Sequence, residues 1–292
     1  METASVKVLV TGSNGQLGGE LKRAVENVSN AYSFTFTDVG ELDITNMSAF
    51  EDYVNNQNFE YIINCAAYTA VDKAEDDVEM CYKINRDAVK NIAEISKKHK
   101  IKVIHISTDY VFDGTKREPY KETDTVSPQS VYGKSKEAGE SELLSICPDS
   151  LIIRTAWLYS IYGNNFVKTM IKLGKERDTL NVVADQIGTP TNAADLAQAI
   201  VSIVKSEIFK PGIYHYSNMG VTSWFDFTVE IHRLAGINSC KVNPITTAEY
   251  PTKAKRPQYS VLDKSKITRA YNLQIPQWQD SLKVCIEVLV NT

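Results

Sequence analysis

The run Val6-Lys7-Val8-Leu9-Val10, continuing into Thr11-Gly12-Ser13-Asn14-Gly15-Gln16-Leu17-Gly18, decides the fold. The first five residues are short, apolar and rich in β-branched side chains, as a buried strand requires. Past the glycines, Glu20, Leu21, Ala24 and Val25 continue with helical spacing. Strand, glycine turn and helix together form a cradle for a pyrophosphate: the glycines let the backbone turn sharply and come close, and the phosphates face free N–H groups at the helix start. The spacing Gly12-x-x-Gly15-x-x-Gly18 differs from the Gly-x-Gly-x-x-Gly fingerprint, and taken alone it also describes a plain tight turn. Asp38, about twenty residues on at the end of the next apolar run, 32–37, selects nucleotide binding.

Working outward, apolar runs at 61–66, 103–106, 151–154 and 212–216 read as further strands, and Met80, Ile84, Ala88, Ile92 and Ile95 as one helix. Strands and helices alternating at these lengths predict an α/β fold: a Rossmann-type doubly wound parallel sheet with right-handed crossovers. Beyond Trp157 the pattern predicts a helix at 165–175, a strand at 181–184, and a helix at 193–204 that returns to the first lobe. Helices at 223–235 and 278–290 then belong to a second lobe. The expected division is a dinucleotide-binding domain at 1–156 and 193–218, and a smaller, discontinuous α/β substrate domain at 157–192 and 219–292.

The chain has 292 residues, 43% of them hydrophobic and 23% charged, with a formal net charge of −4. That is ordinary globular composition with dispersed cations, so neither a nucleic-acid nor a membrane surface is expected. The short basic runs at 97–100 and 253–256 read as solvated faces. Five cysteines, at 65, 81, 147, 240 and 285, form no Cys-x-x-Cys pair and fit reduced thiols in a cytoplasmic protein. No segment approaches a membrane span, and Met1 to Lys7 lacks a signal core.

A second constellation carries chemistry. Ser107-Thr108-Asp109-Tyr110-Val111-Phe112-Asp113-Gly114 closes the apolar strand at 103–106, and Tyr132-Gly133-Lys134-Ser135-Lys136 follows after a loop. Tyr132 and Lys136 stand four apart, hence on one helical face. A hydroxyl, a phenol and an ammonium that converge suit carbonyl reduction, in which oxygen gains charge as a hydride arrives and needs a proton donor. On this reading the Lys136 ammonium lowers the Tyr132 phenol from its ordinary value near about 10, and Thr108 adds a hydrogen bond to the same oxygen. A Tyr-x-x-x-Lys pair alone is also a common solvated pair.

With Asn64-Cys65-Ala66-Ala67-Tyr68-Thr69-Ala70-Val71-Asp72-Lys73-Ala74-Glu75, Arg154-Thr155-Ala156-Trp157, Gly163-Asn164-Asn165-Phe166, Asp185-Gln186-Ile187-Gly188-Thr189-Pro190-Thr191 and Arg256-Pro257 added in order, the chain resembles the extended short-chain dehydrogenase/reductases over nearly its whole length. Within them it is similar to the branch that reduces the C4 ketone of a dTDP-linked 6-deoxy-hexulose. The resemblance implies Thr108, Tyr132 and Lys136 as the catalytic set. It also implies Gly12, Asn14, Gly15, Gln16, Leu17, Asp38, Asp43, Ala66, Ala67, Thr69, Tyr132 and Lys136 as cofactor contacts, and Thr69, Thr108, Trp157, Asn165 and Arg256 as substrate contacts. Asn85 matches an Asn that many such reductases use to hold a relay water, and equally reads as an ordinary helix-surface amide. Asp43 equally reads as a turn or cap residue, Trp157 as core, and Arg256 as a surface residue of a Pro-rich connection.

The cofactor is NADH or NADPH. Asp38, with no Arg or Lys between Thr35 and Asn46, favours NADH, and a cation from elsewhere in the chain would admit NADPH. The family's magnesium carboxylates match only at Glu20. Ala194 stands at the second position with Asp195 beside it, which leaves Mg2+ a doubtful cofactor and assigns no metal-ligating residues. The partner is a dTDP-sugar, and a homodimer is allowed. Two alternatives share the scaffold: an epimerase or dehydratase acting on nucleotide sugars, and a regulatory subunit that binds nucleotide without catalysis. The absence of an Asp-Glu pair after Thr108 disfavours the dehydratase.

Overall fold

The computed structural model of the chain describes residues 5–55, 57–206 and 208–291. Residues 1–4, the start of the N-terminal stretch discussed above, lie outside that set, as do residues 56, 207 and 292. The first part runs β1 (Val6–Thr11), α1 (Gln16–Ala24), β2 (Tyr32–Thr37), α2 (Met47–Val54), β3 (Tyr61–Asn64), α3 (Val71–Ala74), α4 (Val78–Tyr82), α5 (Ala88–His99), β4 (Lys102–Thr108), α6 (Val131–Ile146) and β5 (Leu151–Thr155). The second part runs β6 (Leu158–Tyr159), α7 (Phe166–Glu176), β7 (Thr179–Val183), β8 (Ile187–Gly188), β9 (Thr191–Asn192), α8 (Ala193–Val204), β10 (Gly212–His215), β11 (Thr222–Ser223), α9 (Trp224–Leu234), β12 (Lys241–Ile245), α10 (Ser265–Tyr271) and α11 (Trp278–Asn291).

The main sheet has six strands in the order β10-β5-β4-β3-β1-β2, and all five pairings are parallel. Strand order reverses between β1 and β3, so the sheet opens a crevice at their carboxyl ends, where α/β folds bind ligands. Apolar side chains cover both faces. One layer packs Val8, Val10, Ile63 and Ile104 against Leu17 and Leu21 of α1 and Leu196 and Ile200 of α8. The other packs Leu9, Ile62 and Val103 against Phe50 of α2, Ile92 of α5 and Leu143 of α6. A separate apolar cluster joins Val167 of α7, Phe227 and Ile231 of α9, and Leu282 and Ile286 of α11.

Three elements depart from the expectation. The strand predicted at 61–66 stops at Asn64, because the Asn64 side chain turns back to accept the Ala66 N–H. The single helix through Met80 and Ile95 is interrupted by a π turn, Lys83–Asp87; apolar periodicity does not register one extra residue in a turn. The strand predicted at 181–184 spans Thr179–Val183 and pairs in parallel with β12. The sequence reading missed β12, since Pro244 argues against a strand except at an edge.

Candidate active site

Gly12 sits at φ +68°, and a Cβ there would stand 2.5 Å from the Ala66 nitrogen. Only glycine permits this approach of the β1 turn to the end of β3. The turn then opens α1, whose N-cap Gly15 offers no side-chain cap, so the first-turn N–H groups remain available to an anion. Two cavities meet at this turn. One, of about 650 Å³, is lined by Gly12, Asn14, Gly15, Asp38, Asp43, Ala66, Ala67, Met80, Lys83 and Ile84, among others. The other, of about 560 Å³, runs from Gly15, Gln16 and Leu17 past Thr69 to Thr108, Tyr132, Lys136, Trp157 and Trp224. Gly12, Gly15, Cys65 and Ala67 line both, so they form one groove. A groove crossing a glycine turn and an uncapped helix start fits a dinucleotide. Gln16, whose buried Oε1 has no protein hydrogen-bond partner, is part of the cleft wall.

At the first end, Asp38 accepts hydrogen bonds from the Asn14 N–H at 2.8 Å and the Val39 N–H at 2.8 Å. Asp43 accepts the Thr45 N–H in a local turn while lining the same cavity. Cations from elsewhere in the chain do fold in. Lys22 donates to Asn14 Oδ1 at 3.2 Å, and Lys83 is part of the cavity wall.

At the other end, α6 starts with Ser130 capping the Gly133 N–H at 3.1 Å. A Cβ on Gly133 would stand 2.3 Å from the Tyr110 carbonyl oxygen, so glycine lets the helix start press against the turn after β4. That contact brings the Tyr132 phenol beside the Thr108 hydroxyl, and both line the cleft. Thr108 donates its hydroxyl proton to Asp109 Oδ1 at 3.0 Å and accepts the Tyr110 N–H. Tyr110 packs edge-on against the Tyr132 ring.

The expected lowering of the phenol by Lys136 is not found. Burial, with Tyr132 9% exposed, pushes its pKa above the ordinary value, and the nearby Asp109 carboxylate adds to the rise. Lys136 instead turns its Nζ to the Ile106 carbonyl at 2.7 Å, and burial draws its pKa down to about 8. Asp109, buried without a cation partner, is pushed up to about 6.

Trp157 lies at φ +48°, a region that bulky residues seldom adopt. It is held there by an indole stack on Trp224, with centroids 3.5 Å apart. Both indoles line the cleft. Trp224 escaped the sequence reading because it lies far along the chain in an ordinary amphipathic helix.

Three expected residues have other immediate partners. Asn165 caps α7, accepting the Lys168 N–H at 3.1 Å and donating to the Ser160 carbonyl at 2.7 Å. The cleft-lining residue is its neighbour Asn164, because a helix cap leaves the Asn165 amide committed. Arg256 forks onto Asp72, at 3.0 and 2.6 Å, beside an adjoining cavity lined by Tyr250 to Lys255 and Asp113. Asn85 is no surface amide. It is buried, exchanges hydrogen bonds with both backbone groups of Tyr68 and donates to Ser135 Oγ. The π turn aims it inward.

The carboxylates considered for magnesium do not fit a metal. Glu20 accepts from Ser160 Oγ at 2.7 Å and faces Arg23, while Asp195 accepts from Asn218 and Ser281. Among the described residues no group of three or more His, Cys, Asp or Glu side chains is arranged to hold a metal ion.

Residues 6–291 match the family described as the RmlD substrate binding domain. The dTDP-4-dehydrorhamnose reductase of Aggregatibacter actinomycetemcomitans is 46% identical over 287 residues, 95% of this chain and 97% of that one. The crystal structure of a dTDP-4-dehydrorhamnose reductase from Clostridium acetobutylicum ATCC 824 is similar with a TM-score of 0.92 at 45% identity, covering 97% of this chain and 99% of that one. That of the Bacillus anthracis str. Ames dTDP-4-dehydrorhamnose reductase, in complex with NADP, gives 0.92 at 41% identity, covering 99% and 100%.

Proposed function

The chain belongs to the RmlD substrate binding domain family, and on that premise we propose that it works as a dTDP-4-dehydrorhamnose reductase. It is an NADP-dependent oxidoreductase of nucleotide-sugar biosynthesis that reduces the C4 ketone of dTDP-4-dehydro-L-rhamnose to give dTDP-L-rhamnose. Thr108, Tyr132 and Lys136, meeting at one end of a groove that begins at the glycine turn, carry the reading.

A reduced nicotinamide, when bound, supplies the hydride. Tyr132 gives its phenolic proton to the ketone oxygen as charge develops there. Its raised pKa keeps the phenol protonated at neutral pH, the state a donor needs. Thr108 turns its hydroxyl from Asp109 to the same oxygen, adding a donor where negative charge accumulates. Lys136, Gln16, Leu17, Ala66, Ala67 and Thr69 hold the cofactor along the groove, with Gly12, Gly15 and the α1 N–H groups around its pyrophosphate. Asp38 and Asp43 take the adenosine ribose end. Lys22 and Lys83 offset their charge, which supports use of NADPH as well as NADH. The substrate lobe is built from 157–192 and from 219–291 without α10, whose Ile267 packs into the core of the main sheet instead, with Trp157 and Trp224 offering an indole face to the sugar nucleotide. Arg256, braced by Asp72, takes its diphosphate. Five free cysteines support a reducing cytoplasm, and no helix among the described residues is long and apolar enough to cross a membrane.

The test is incubation with dTDP-4-dehydro-L-rhamnose and either reduced nicotinamide dinucleotide. Stoichiometric loss of nicotinamide absorbance with formation of dTDP-L-rhamnose is expected. Turnover without added reduced cofactor would point to an epimerase or dehydratase, and nucleotide binding without turnover to a regulatory subunit. Light scattering on the same sample decides between a monomer and the homodimer that the resemblance allows.

A further inference from the structure

Beneath the groove, three residues at matched positions on adjacent strands form a buried hydrogen-bonded row. Thr11 of β1 is in register with Asn64 of β3, and Asn64 with His105 of β4. Thr11 is 1% exposed, Asn64 1% and His105 0%. The row runs from the residue before Gly12 to the Lys136 amine.

Each polar atom in the row has one consistent role. The Ala66 backbone N–H can only donate, and it meets Asn64 Oδ1 at 3.1 Å; the Thr11 hydroxyl donates to the same oxygen at 2.8 Å. The oxygen is thereby fixed, and the Asn64 Nδ2 amide group must face His105 Nδ1, 3.0 Å away. An amide N–H donates, so His105 Nδ1 accepts. Burial keeps the ring neutral by pushing its pKa well below the usual range, and a neutral imidazole with an accepting Nδ1 carries its proton on Nε2. That Nε2–H faces Lys136 Nζ at 3.5 Å. An ammonium has no lone pair to accept it, whereas a neutral amine does.

We infer that His105 is a positioning residue for Lys136: locked by Asn64 in the Nε2–H tautomer, it presents a donor to the amine and favours the uncharged lysine. The other groups facing Lys136 push the opposite way. They are Glu140 on its own helix, Cys65 after β3 and Cys81 on α4. Glu140 is largely engaged elsewhere, in a buried pair with Arg154 at 2.5 Å. Thr11 and Asn64 therefore couple the turn that carries the pyrophosphate cradle to the proton inventory of the lysine. The inference builds on the reading of Lys136 as part of a reductase site, but it is tested on the cofactor-free protein without turnover.

The test is nitrogen NMR of the full chain labelled in its histidine rings and lysine side chains. His105 is assigned by the loss of its signals in His105→Phe, and Lys136 by the loss of its signal in Lys136→Met. In the wild-type protein we expect the His105 proton on Nε2 and Nδ1 unprotonated throughout neutral pH. In His105→Phe we expect the Lys136 titration to rise by about one pH unit, a tenfold change in its protonation equilibrium. A purely apolar replacement acting through burial alone would lower it instead. A wild-type proton on Nδ1, or an unchanged or lowered Lys136 titration in folded His105→Phe, overturns the inference. If that variant does not fold, the wild-type tautomer alone decides. Failure of the reductase assay with the expected tautomer present would count against the proposed function and leave this inference standing.

Discussion

The two ends of the groove are built on opposite plans. At the end beside β4, Thr108, Tyr132 and Lys136 are 5%, 9% and 2% exposed, and each is placed by packing of one element against another. At the end beside β2, Val39 is 72% exposed, and Asp38 and Asp43 hold backbone N–H groups of their own turns. Burial makes the first end able to shift proton affinities, because charge there is poorly solvated. Exposure makes the second a place where each charge contributes little on its own, because water screens it. Chemistry is expected to be sensitive to single atoms at one end, and recognition to be shared among several groups at the other.

The sharpest way to break that contrast is Tyr132→Phe. Turnover should fall by about 10²- to 10⁴-fold, while NADPH affinity measured by calorimetry stays within about twofold; unchanged turnover would remove the phenol from the mechanism. Next in size is Asp109→Asn. The folded-state pKa of Asp109, about 6, lies above its ordinary 3.8, so the folded chain favours the protonated acid. The stability from that difference is complete below about pH 4 and is lost as pH rises through 6. The variant should therefore be more stable at pH 8 by up to about 3 kcal/mol, with no gain at pH 4, as followed by urea unfolding at the two values. At the exposed end, Lys83→Ala should weaken NADPH by about tenfold and NADH hardly at all, since only the former carries a phosphate for a charge-assisted bond. Equal losses for both would make Lys83 a wall residue. The smallest effect is expected for Asn165→Ala, which should cost about 1 kcal/mol of stability through loss of the α7 cap and leave KM for the dTDP-sugar unmoved. A rise in that KM would return Asn165 to the substrate site.

Much of the arrangement was legible because it is local. The glycine turn announces a strand-to-helix corner, Asp38 follows at the end of the next strand, and Tyr132 and Lys136 share a helical face by spacing alone. What escaped depends on partners distant in sequence. Trp224 meets Trp157 only when β11, which leads into α9, pairs with β8, where Gly188 leaves room for the Trp157 indole. Asn85 points inward only because a π turn, invisible to periodicity, rotates that stretch. An arginine in a loop and a buried lysine both read simply as basic letters, yet Arg256 met a carboxylate and Lys136 met a carbonyl and an imidazole.

The chain's letters settled the order of the main strands and helices, the parallel sheet and the three side chains that meet in the cleft, since backbone preference and side-chain periodicity act over a few neighbouring residues. Only the folded molecule decides in which direction each group's proton affinity is pushed. Proton affinity depends on how much water is excluded and on which dipoles stand within a few ångströms, and both are fixed only when distant segments close around the site.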